Sequence, residues 1–63
     1  MNIFINKIAQ GIKELKNNSK TDEDFKENVN YIIKHLMEMR TCCDEMFVPM
    51  IDTVLIMLEN QLI

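Results

Sequence analysis

A chain of 63 residues with a net charge of -3 and 48% apolar content has room for one domain. One glycine and one proline supply too little turn chemistry for several β-hairpins, which excludes an all-β fold. The acidity is also too mild for the chain to mimic nucleic acid. A domain of this size buries only about 60% of the surface its unfolded chain exposes, so it is marginal unless a disulfide, a metal or self-assembly supports it. Its aromatic residues are few, Phe4, Phe25, Tyr31 and Phe47, so the core must be built from Ile, Leu and Met. The abundance of Ile, Asn and Lys is that of AT-rich coding sequence, as in low-GC bacteria, their phages and plasmids, or an AT-rich eukaryote.

Ile5, Ile8, Ile12 and Leu15 recur at spacings of 3, 4 and 3, which predicts an amphipathic helix over residues 2–16 with Asn2 as its N-cap. Gly11 inside it costs on the order of 1 kcal/mol relative to alanine and would let another backbone approach closely. Lys7, Lys13, Lys16 and Lys20 against Glu14 give residues 1–20 a net charge of +3, whereas residues 21–63 carry -6. The two parts attract each other. Lys13, Lys16 and Lys20 share one side of the helix, but the chain is acidic, has one arginine and shows no helix-turn-helix with a basic recognition helix. That side reads as a solubilising face, with a nucleic-acid-associated regulator as the alternative. The first residues lack the basic region, apolar centre and cleavage site of a secretory leader, so a cytoplasmic protein is expected, in the host cell if a phage encodes it.

After the polar break at residues 17–21, Thr21 reads as an N-cap followed three residues later by Asp24, and Asp22, Glu23 and Asp24 place negative charge at the positive end of a helix. That second helix is expected over residues 22–44. Phe25, Val29, Ile32, Leu36, Met39, Cys43 and Met46 follow one another at 4, 3, 4, 3, 4, 3, the spacing of a seam that faces another helix. Tyr31, Ile33 and Met37 flank it, and Lys26, Glu27, Asn30, Lys34, Glu38 and Arg40 form a solvated outer face. Cys42 and Cys43 are neighbours pointing about 100° apart on a helix, unable to pair with each other, and read as reduced residues.

Pro49 cannot sit in a helix interior without removing a hydrogen bond, so the helix must kink or restart near it and leave a third segment over residues 48–62. Val54, Leu55, Ile56, Met57 and Leu58 make that segment apolar almost all round, its polar groups being Asp52, Thr53, Glu59, Asn60 and Gln61. Three helices in one chain cannot readily cover it. Met46, Phe47, Met50, Ile51, Val54, Leu55, Leu58 and Leu62 are therefore the expected oligomer or partner face. The apolar run is too short, and interrupted by Asp52, for a membrane span.

His35, Met39, Cys42 and Cys43 lie at i, i+4, i+7 and i+8 and combine ligands that suit copper(I) or zinc, which makes a metal or thiol sensor a second alternative. No second cluster completes a tetrahedral site, and the seam already accounts for Met39 and Cys43, so no cofactor is expected. His35 and Cys42 stand about 10 Å apart along a helix axis, too far for a nucleophile and its base. The paired carboxylates lie at helix ends, and no phosphate loop occurs, so no enzyme is expected. The sequence thus predicts an all-α protein: a helical hairpin plus a third helix after a proline break, a three-helix bundle that dimerises. The expected function is a non-enzymatic protein-binding module. An adaptor, a small chaperone, or an inhibitor or regulator of phage or plasmid type, partnered by itself and by another protein, all fit.

Overall fold

A computed structural model describes residues 3–63. The N-cap expected at Asn2 lies outside the described residues. Among them three α-helices follow one another: α1 at Ile3–Asn18, α2 at Asp22–Cys42 and α3 at Val48–Glu59, with 3-10 turns at Glu45–Phe47 and Asn60–Leu62. Among the described residues there is no strand.

The polar break is shorter than the sequence suggested, because Ser19 ties off the last turn of α1. Its hydroxyl donates to the Leu15 carbonyl at 2.7 Å and its N–H to that of Lys16 at 3.3 Å, which keeps Asn17 and Asn18 helical. The start of α2 lies where the capping pattern placed it. Thr21 is extended, its hydroxyl oxygen accepts the Asp24 N–H at 3.1 Å, and the three acids fill the first turn. Thr21→Ala is expected to lower stability by about 1 kcal/mol, measurable as a lower urea midpoint at unchanged slope.

α2 ends at Cys42, two residues before the expected boundary. Cys43 adopts an extended backbone, with φ of -88° and ψ of 166°, and its N–H donates to the Met39 carbonyl at 2.9 Å. Asp44 is extended too, and its carbonyl accepts the Phe47 N–H at 3.0 Å to form the connecting 3-10 turn. The chain thus leaves the helix at Cys43, ahead of Pro49. Pro49 occupies the first turn of α3, where a missing N–H sacrifices no intrahelical bond.

The most closely packed pair is α2 with α3, and α1 lies against both. The expected succession of two helices joined by a short turn and a third packed against them is present. α1 has only a narrow apolar stripe, whereas α3 is apolar nearly all round and buries Ile51 and Leu58. Arg40 and Asp52 brace the α2–α3 pair: the guanidinium donates through Nε to Asp52 Oδ1 at 2.7 Å and through a terminal nitrogen to Oδ2 at 3.4 Å. That hydrogen bond, and then the neighbouring negative charge, push the Arg40 pKa above its usual value.

The core gathers at one end of the molecule. Phe25, Val29 and Leu58 are 4%, 0% and 3% exposed, and Ile12, Leu15, Ile32, Ile33, Leu36, Val54 and Leu62 pack around them. Lys16 places its ammonium 5.9 Å from the centre of the Phe25 ring, and the Asn28 amide donates to Ser19 Oγ at 3.5 Å, holding the α1–α2 corner against that core. Gly11 faces open space, for a Cβ built there meets nothing within 4 Å, so no backbone approaches it as the sequence had suggested. Gly11→Ala should therefore stabilise the chain by about 1 kcal/mol through helix propensity, raising the melting temperature by about 4–8 °C.

Candidate functional site

The seam of α2 closes at one end and opens at the other. Phe25 and Val29 are buried, Ile32 and Leu36 are half-buried, and Met39 is 55% exposed one turn further on. Past the helix end Cys43 is half-buried and Met46 is 73% exposed. The chain leaves the helix at Cys43 and returns as α3 against α2.

An apolar groove of 380 Å³ occupies that end. Phe4 and Ile8 of α1, Leu36 and Met39 of α2 with Cys43 at its end, Phe47 of the 3-10 turn, and Met50, Ile51 and Val54 of α3 form its walls. No polar side chain lines it among the described residues. Phe47 and Met50 stay 45% and 44% exposed, far from the burial that large apolar side chains reach in a finished core.

The expected partner face is thus divided by the fold. Ile51 and Leu58 are buried within the chain, and Val54 and Leu62 pack on its core. Leu55 is half-buried and lies outside the groove. Phe47 and Met50 line the groove, and Met46, which does not, is exposed. Three members of the expected seam, Leu36, Met39 and Cys43, contribute to the same groove, whereas Phe25, Val29 and Ile32 belong to the closed end. Phe4 is the residue that periodicity undervalued: it stands outside the 3, 4, 3 series of helix one and yet forms part of a wall.

The candidate ligands for a metal are dispersed. His35 is exposed and packs edge-on against Tyr31, with ring centres 4.3 Å apart and planes at 81°. Cys42 is exposed with its sulfur 3.6 Å from Thr41 Oγ1, and Cys43 points its thiol to the Arg40 carbonyl at 3.7 Å. Among the described residues no group of three His, Cys, Asp or Glu side chains is placed to hold a metal ion. Lys13 and Lys16 border a shallow depression of 270 Å³ with Ala9, Ile12, Met57 and Gln61. A second shallow surface on α2 runs over Asn30, Ile33, Lys34, Met37, Glu38 and Thr41. No helix among the described residues is long and apolar enough to cross a membrane.

Comparison of the chain with protein-family models, with curated proteins and with solved structures finds no match.

Proposed function

We propose that this chain is a non-enzymatic protein-binding module, an adaptor, small chaperone or inhibitor that assembles with itself and acts on another protein through its apolar helical surface. The observation that carries this reading is the groove at the open end of the seam, whose walls are contributed by all three helices and hold no polar side chain. A site for a small ligand usually places a few polar groups to fix the ligand's orientation. This one has none, and it suits a complementary apolar ridge on another polypeptide. Unbranched methionines at Met39, Met46 and Met50 give that surface side chains able to repack around such a ridge.

A photo-reactive phenylalanine analogue placed at Met50, compared with one at Lys26 on the outer face, tests the reading in the source cell. Covalent adducts with protein from the Met50 position, abolished by Met39→Glu and missing from the Lys26 position, are the expected result. Equal adduct patterns from both positions would contradict it.

A further inference from the structure

We infer that the groove is covered by a second copy of this chain, related by a two-fold axis, so that each copy closes the open end of the other's seam. This inference rests on the reading of the chain as a protein-binding module and names the occupant of the site. The first ground is area. The chain exposes 5071 Å² at a mass of 7.5 kDa, whereas a monomer of that mass is expected to expose about 4,200 Å². The excess, roughly 800 Å², matches what one partner contributes to a standard interface. Of the exposed large apolar side chains, Met39, Phe47 and Met50 line the groove, and Met46 neighbours Phe47 in the chain.

Charge supplies the second ground. Lys7 precedes the groove residue Ile8 in the chain, and Asp44 and Glu45 stand between the groove residues Cys43 and Phe47, so the two stretches that contribute to the groove carry opposite charge. A two-fold axis through the groove sets the basic stretch of each copy against the acidic stretch of the other, and both contacts form twice. The same polarity runs through the chain, +3 over residues 1–20 and -6 over residues 21–63, so like faces would repel if the copies docked in parallel. A self-complementary surface is what an isologous dimer requires.

Met39 and Met37 provide a matched pair for the test, since both stand on α2 and are 55% and 57% exposed, but only Met39 lines the groove. Glutamate and methionine have similar helix propensity, so circular dichroism should report unchanged helix content for both variants. Sedimentation equilibrium of the full chain is expected to give twice 7.5 kDa. Met39→Glu should weaken the dimer by about 100-fold, as loss of a central apolar contact does, while Met37→Glu changes it by less than about threefold. Lys7→Glu alone, and Asp44→Lys with Glu45→Lys alone, should each weaken it by roughly fivefold, and an equimolar mixture of the two should restore it as a heterodimer.

Dissociation by Met37→Glu with none by Met39→Glu would overturn the interface while leaving self-association in place. A mass of 7.5 kDa at every concentration would overturn the second copy as occupant. In that case adducts with another protein from the Met50 position would still uphold the broader reading, and loss of those adducts as well would remove both.

Discussion

Leu58→Asp should abolish the fold. Leu58 is 3% exposed at the centre of the cluster with Phe25 and Val29, so a carboxylate there loses roughly 3 kcal/mol of apolar burial and packing. It also meets a desolvation penalty of several kcal/mol among apolar neighbours. A chain of 63 residues has a total stability of about 3–9 kcal/mol. The penalty equals or exceeds it. Far-ultraviolet circular dichroism at 25 °C should show helix content collapsed in Leu58→Asp, and Leu58→Ala should retain a cooperative transition weakened by about 2–5 kcal/mol. A cooperatively folded Leu58→Asp protein would mean that the closed end of the seam is not the core.

Met50→Asp should do the opposite. The side chain is 44% exposed, so little is lost within the chain, and an acid in the first turn of α3 meets the positive end of the helix dipole. Stability is expected to stay within about 0.5 kcal/mol of the parent. A charge in the wall of an otherwise apolar groove must be desolvated by anything that covers it, so binding through that groove should weaken by about 100-fold. Periodicity places Leu58 and Met50 on one face, yet their substitutions should separate folding from assembly. The two effects are read by a denaturant titration and by the photo-adduct yield of a probe at Met46.

Much of this fold is legible in the sequence because its signals are local. The unbroken seam from Phe25 to Met46 identifies a helix with a partner, Thr21 with three acids marks its start, and Pro49 fits only the first turn of a helix that begins beside it. What periodicity cannot supply is where the seam stops being covered. That depends on Cys43 leaving the helix through an extended backbone, and its spacing from Met39 is as regular as any other in the series.

The division of the last helix was hidden for a related reason. Met50, Val54 and Leu58 recur every fourth residue on one apolar stripe, so no period separates a residue buried at home, such as Leu58, from one that lines an open groove, such as Met50. Arg40 looked like a surface charge on α2. Its bond to Asp52 depends on how α3 folds back, and a contact between residues twelve apart across a break carries no local signature. Gly11 permits a close approach that the fold does not make.

Thiol reactivity reads whether assembly closes the open groove, because two adjacent cysteines sit on either side of its boundary. Cys43 lines the groove and Cys42 is exposed outside it. The rate of reaction with a disulfide reagent would be measured from nanomolar to millimolar chain, for Cys43 in a Cys42→Ser background and for Cys42 in a Cys43→Ser background. Protection of Cys43 that grows with chain concentration, beside a constant rate for Cys42, is the predicted result. Rates independent of concentration at both positions, or protection of Cys42 alone, would contradict the account.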